Sequence, residues 1–206
     1  MAMVSTAYLL FGEGDFFSKK PVPYTPDRYT DYKNPCQKLP APPNGKDYGS
    51  LLVQNKAKVL TAIRANGLPR EFQFLVMAMA MQETNTLSEF ERDCTKDKGN
   101  ADAANYSIFN LNMFFIKKAG GAVNYDQLNS HDALADVVRI IYSGIKILGL
   151  IRALKTIRGG ESAFVDGKSY GAADYPHALK SSISVMDDSV ALLQNNKRVA
   201  CDLSHV

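Results

Sequence analysis

The sequence predicts a mostly α (α+β) fold with one small β-hairpin and an irregular N-terminal arm. Three observations carry this prediction. Apolar residues recur at helical spacing through most of the chain after residue 48. Glycine and proline fall where helices should begin and end. Segments that read as strands are few and short. The composition agrees: 46% of the 206 residues are hydrophobic and 22% are charged, which is enough apolar material for a sizeable core.

Residues 1–48 form the arm. Pro21, Pro23, Pro26, Pro35, Pro40, Pro42 and Pro43 punctuate it. Tyr8, Phe11, Phe16, Phe17, Tyr24, Tyr29 and Tyr32 argue against a fully disordered tail, so the arm is expected to pack on the domain formed by residues 49–206. From Ser50 to Ala65, Leu51, Leu52, Ala57, Val59, Leu60 and Ile63 fit a helix that stops at Asn66-Gly67. Pro69 at a first turn and Glu71 near the positive helix end open the next helix, which runs to about Glu83. Its sequence LVMAMAM is apolar on nearly every face, so it belongs in the core. Ser107 is expected to cap a third helix ending at Gly120-Gly121. Ser130-His131-Asp132 is expected to cap a long helix from Ala133 to Ile157, stopped by Gly159-Gly160. The hairpin is expected at Ser162–Val165 and Lys168–Gly171. Pro176 opens a final helix to about Leu193.

Several function classes are disfavoured. A net charge of +3 without a Lys/Arg run argues against a nucleic-acid partner. No apolar run reaches the length of about 18 residues that a membrane span needs, so no membrane partner is expected. Three His and three Cys, with no CxxC or HxxxH spacing, predict no metal and no cofactor. Three pairings are open to Cys36, Cys94 and Cys201. No heptad pattern is present, and a monomer is expected. The opening MAMVSTAYLLF lacks a basic segment and reads poorly as a signal peptide.

The chemistry concentrates in residues 75–115. Val76, Met79 and Glu83 share a helix face, so the Glu83 carboxyl is expected to lose water. Desolvation raises a carboxyl pKa, which suits a general acid. The loop that follows offers Glu89, Glu91, Asp93, Asp97 and Asp102. Asp97, flanked by Lys96, Lys98 and Gly99, is suited to stay ionised as a general base; Asp93 beside Arg92 is nearly as well suited, and composition does not choose between them. Asn105, Tyr106, Asn110 and Asn112 add amides and an aromatic ring, the groups that bind sugar hydroxyls and sugar faces.

The pieces AMQET, a polar Asp-containing loop and AANYSIFN resemble the glycoside hydrolase family 134 endo-β-1,4-mannanases. The strong part of the resemblance covers about a fifth of the chain. Arg158-Gly159-Gly160 and the DGKSYGAADY segment (Asp166 to Tyr175) extend it more weakly. The resemblance implies a lysozyme-like fold and a secreted enzyme, its leader removed, that cleaves β-1,4-mannan by an inverting mechanism. It implies Glu83 as general acid and Asp97 as general base, with Asp93 or Asp102 as the alternative base because the loop varies in length within the family. It also implies Asn105, Tyr106, Asn110, Asn112, Arg158, Asp166 and Tyr170 as substrate-binding residues.

The chain departs from the family in having no Trp. Met113 stands where bacterial members tend to carry one, and Ile157 stands where a His precedes Arg-Gly. Sugar stacking then falls to Tyr106, Tyr125, Tyr170 or Tyr175. Two other readings remain open at this stage. One is a lysozyme- or transglycosylase-type hydrolase working with a single Glu. The other is a non-catalytic secreted glycan-binding or effector protein on the same fold.

Overall fold

A computed structural model of the chain describes residues 48–84, 86–88, 105–120, 125–166, 172, 174–187, 193–196 and 198–200. Residues 1–47 of the expected arm, and Cys36, Cys94 and Cys201, lie outside the described residues, while Tyr48, expected in the arm, begins the first helix. The fold is mostly α with a two-stranded antiparallel sheet.

Helix α1 spans Tyr48–Ala65 and α2 spans Arg70–Glu83. Pro69 stands at the N-cap of α2 rather than inside its first turn, and Glu71 faces the positive end. Every residue of α2 from Phe74 to Met81 is buried, so it forms the axis of the core. Its apolar sides are covered by α1 and by the last helix, α6 (Tyr175–Asp187). No solvent-facing stripe remains, and this explains why the sequence lacks one.

Among the described residues the hairpin lies at Asn105–Tyr106 (β1) and Leu111–Asn112 (β2). Asn105 pairs with Asn112 and Tyr106 with Leu111. Ser107 therefore opens the hairpin turn instead of capping a helix. Its φ of 67° and the φ of 50° at Asn110 reverse the chain. Asn110 N–H donates to the Ser107 carbonyl at 3.0 Å, and Ser107 N–H donates to Asn129 Oδ1 at 2.8 Å. The helix that follows, α3, is only Met113–Lys118. Its N-cap is Asn112, whose Oδ1 accepts from Phe114 N–H at 2.9 Å. Residues 162–165, expected as strand, are helical; residues 168–171 lie outside the described residues.

The expected single helix of residues 133–157 is two. Helix α4 (Leu134–Leu148) stops at Gly149, whose φ is 79°, and α5 (Leu150–Asp166) starts again. The Ser130 hydroxyl accepts from Ala133 N–H just ahead of α4, as the capping pattern predicts. Helix α3 lies so close to α4 that a Cβ on Gly144 would sit 2.3 Å from the Phe115 ring. The expected stop at Gly159-Gly160 is instead a kink within α5, where Gly160 has φ 58° and ψ −142°. The last helix is described over Tyr175–Asp187, and residues 188–192, which lead to its expected end near Leu193, lie outside the described residues.

One buried charge has a measurable consequence. Lys56 of α1 is fully buried and donates through Nζ to the Asn195 carbonyl at 3.0 Å. Desolvation lowers its pKa from 10.5 to about 8. The folded state thus gives up this proton at lower pH than the unfolded chain. Stability should rise as pH climbs from about 8 towards 10, because there the unfolded state holds the extra proton. Above pH 10, ionisation of Tyr175 in the unfolded chain acts in the opposite sense, since its folded-state pKa is raised. Urea midpoints measured across this window should increase in the wild type and lose that increase in Lys56→Met.

Candidate active site

Glu83 is the last residue of α2 and is 3% exposed. A carboxylate there meets the negative end of the helix dipole, so other groups must hold it. Two side chains hold the carboxylate itself, and Arg198 covers the carbonyls beside it at the helix end. Asn110 Nδ2 donates to Glu83 Oε2 at 3.0 Å. Arg158 Nη1 donates to the same oxygen at 3.3 Å and makes an ion pair with it. Arg198 donates through Nε to the Met81 carbonyl and through Nη2 to the Gln82 carbonyl, capping the end of α2. Thr84 turns into extended backbone, and its hydroxyl bonds the Ala80 carbonyl at 2.9 Å.

Local sequence explains how each partner arrives. Asn110 is aimed by its left-handed φ at the end of the hairpin turn, a conformation asparagine tolerates better than most residues. Arg158 lies two residues before the Gly160 kink. Gly160 in turn packs against the Asn112 side chain, so close that a Cβ there would fall 2.9 Å from Nδ2. The hairpin therefore contributes twice, through Asn110 on Glu83 and through Asn112 under the kink that follows Arg158.

Tyr175, the first residue of α6, is fully buried next to this group. Burial raises its pKa well above the ordinary value; the negative charge of Glu83 adds to this and Arg158 opposes it. Its hydroxyl lies near Glu83, close enough for the carboxylate to favour the neutral phenol. It is neutral at any working pH.

The start of the loop after Glu83 is tied down. Asn55 Nδ2 donates to the Thr86 carbonyl at 2.8 Å, and the Thr86 and Ser88 hydroxyls meet at 2.6 Å. His131 Nε2 contacts the Leu87 carbonyl at 3.0 Å, and Lys58 Nζ lies 3.3 Å from its Nδ1. This fixes the tautomer: Nε2–H donates to the carbonyl and Nδ1 accepts from the ammonium. Burial, assisted by Lys58, keeps the His131 pKa below its usual value despite the Leu87 hydrogen bond and Asp132. Neutral His131 thus pins the buried Leu87, whose φ is 59°. An open groove of about 730 Å³ between α1 and the start of α4 is lined by Lys58, Thr61, His131 and Asp132.

The structure brings together three of the residues singled out from sequence: Glu83, Asn110 and Arg158. Others have different places. Asn112 is buried and spends its side-chain oxygen on capping α3. Asn105 is half-buried in β1. Tyr106 is 7% exposed and Tyr175 fully buried, so neither presents a ring face for a sugar to stack on. Ile157 is buried in the core. Asp166 ends α5. Asp93, Asp97, Asp102 and Tyr170, and the side chains of Tyr125 and Asp166, lie outside the described residues. Arg198 has no signal in the sequence, because its role comes from a chain segment more than a hundred residues from α2. No protein-family model and no curated protein sequence matches the chain.

Proposed function

We propose that the protein is a secreted, monomeric endo-acting glycoside hydrolase that cleaves β-1,4-mannan with inversion. The observation that carries this reading is Glu83. It is a carboxyl group withdrawn from water at the end of a core helix, held by an amide from the hairpin and a guanidinium from α5. Buried carboxyls held by polar side chains are the usual instruments of acid–base work on glycosides. The resemblance of the surrounding sequence to the family 134 mannanases supports the choice of substrate and the lysozyme-like character of the domain.

In this reading Glu83 donates its proton to the glycosidic oxygen as the bond to the anomeric carbon breaks. Asp97, fourteen positions further on, takes a proton from a water molecule attacking the opposite face. The anomeric centre inverts in one displacement through an oxocarbenium-like state. An inverting pair needs about 6.5–9.5 Å between its carboxyl groups, to admit that water. Asn110 orients Glu83, and Arg158, whose side chain is 30% exposed, reaches both the carboxylate and the solvent where a sugar would lie.

The test is reducing-sugar release from glucomannan, galactomannan, linear mannan, peptidoglycan, chitosan and β-glucan. The anomer first formed is read by proton NMR. Release from mannans as the α-anomer supports the reading, and no release from any polymer by folded protein sinks it. Asp97→Asn should cut mannan hydrolysis by about 10²-fold or more, the usual value of a positioned general base. Survival of activity in that variant and also in Asp93→Asn and Asp102→Asn would point to single-carboxylate chemistry of the lysozyme kind.

A further inference from the structure

We propose that Arg158 is a positioning residue that keeps Glu83 ionised in the resting protein and must release it before Glu83 carries a proton. This rests on the reading of Glu83 as a general acid. Desolvation alone would favour the neutral acid, but an opposite charge in contact favours the carboxylate. Arg158 Nη1 is 3.3 Å from Oε2 of a side chain that is only 4% exposed, so little water screens the pair.

Among the described residues, the groups gathered around Glu83 and the end of α2 come from four elements. The hairpin gives Asn110, α5 gives Arg158, and α6 gives Tyr175. The C-terminal segment gives Arg198, whose guanidinium is spent on the carbonyls of Met81 and Gln82. Arg158 is the cation in contact with the carboxylate. An Nδ2–H donor such as Asn110 binds the carboxylate more strongly but can still donate to the carbonyl oxygen of a neutral acid. A guanidinium serves only the carboxylate well. Moving from base form to acid form therefore asks Arg158, and not Asn110, to leave.

The structure gives Arg158 somewhere to go. Its side chain is 30% exposed against 4% for Glu83, so its head reaches water and can exchange one carboxylate for the hydroxyls of a bound sugar without being stranded. The Gly160 kink two residues later ends the regular helical path just beyond Arg158. Occupancy of the cleft and loading of the proton would thus be one event.

The experiment is a ¹³C NMR titration of glutamate-labelled protein, with the Glu83 carboxyl assigned by its loss in Glu83→Gln. The Glu83 midpoint should rise by about one pH unit or more in Arg158→Gln, within the range by which a contacting cation depresses a carboxyl. It should return towards wild type in Arg158→Lys. An unmoved midpoint in Arg158→Gln overturns the proposal; if that variant does not fold, Arg158→Met, closer in shape, takes its place with the same expected rise. On glucomannan, the alkaline limb of kcat/KM should move up in step with the midpoint, whereas a residue that merely held the fold or the sugar would change the height of the profile and leave the limb in place. The titration reads the carboxyl itself. A rise without any hydrolysis would sink the hydrolase reading and keep the ion pair, while hydrolysis with an unmoved midpoint would do the reverse.

Discussion

Glu83→Gln should abolish mannan hydrolysis, by about 10²–10⁴-fold or to background, while leaving the protein folded. The size follows from what a positioned general acid contributes when the leaving oxygen must depart with a proton. The fold should survive because Gln has nearly the shape of Glu. Its side-chain carbonyl oxygen still accepts from Asn110, which donates at 3.0 Å in the wild type. Arg158 loses its carboxylate but not its water, since its side chain is 30% exposed, and an exposed cation without a partner costs little. Helix α2 also loses a negative charge from its negative end, a small gain. The measurement pairs a mannan assay with thermal unfolding of the same sample. Activity that persists in a folded Glu83→Gln protein removes Glu83 from the mechanism. Activity lost together with the fold is resolved by Glu83→Asp, which keeps the charge, shortens the reach by one methylene and should fold while working poorly.

The helical part of this protein was legible in its sequence because the signals are local. Asn66-Gly67 ends α1, Pro69 opens α2, and the unbroken apolar surface of LVMAMAM places α2 in the core. The position of Glu83 on a buried face followed from spacing alone. The hairpin was not legible, because two-residue strands are too short to show a period of two, and Ser107 reads equally well as a helix cap or a turn residue. The break at Gly149 was missed for a related reason: the apolar pattern from Val137 to Leu154 runs straight across it, and the chain needs only one left-handed glycine to change direction.

The candidate site divides along the same line. Which residues could do chemistry was visible, but their convergence was not. Asn110 and Arg158 lie 27 and 75 positions from Glu83, and only the packing of α5 against the hairpin carries Arg158 to it. Tyr175 shows the limit most clearly. Its residue type suits sugar stacking, and nothing in the sequence says that α6 buries the ring against α2.

Gly160→Ala should be the most damaging single-methyl addition near the site. At φ 58° and ψ −142° the backbone occupies a region that essentially only glycine enters, and forcing another residue there costs about 1–3 kcal/mol. The added Cβ would also meet Asn112 Nδ2 at 2.9 Å and its Cγ and Oδ1 at 3.0 Å. Asn112 cannot retreat freely, because its Oδ1 holds Phe114 N–H as the cap of α3 at 2.9 Å, and a lost cap costs about another 1 kcal/mol. Together these predict a loss of about 2–4 kcal/mol, readable as a lower urea midpoint at unchanged slope. Activity should fall further than stability explains, since Arg158 lies two residues away on the same kink. Asn112→Ala separates the two contributions. It removes the clash and leaves the backbone strain, so the Gly160→Ala/Asn112→Ala double variant should be more stable than the sum of the single losses predicts. Strict additivity would mean that Asn112 does not press on Gly160, and the link from hairpin to kink to Arg158 would then have to be given up.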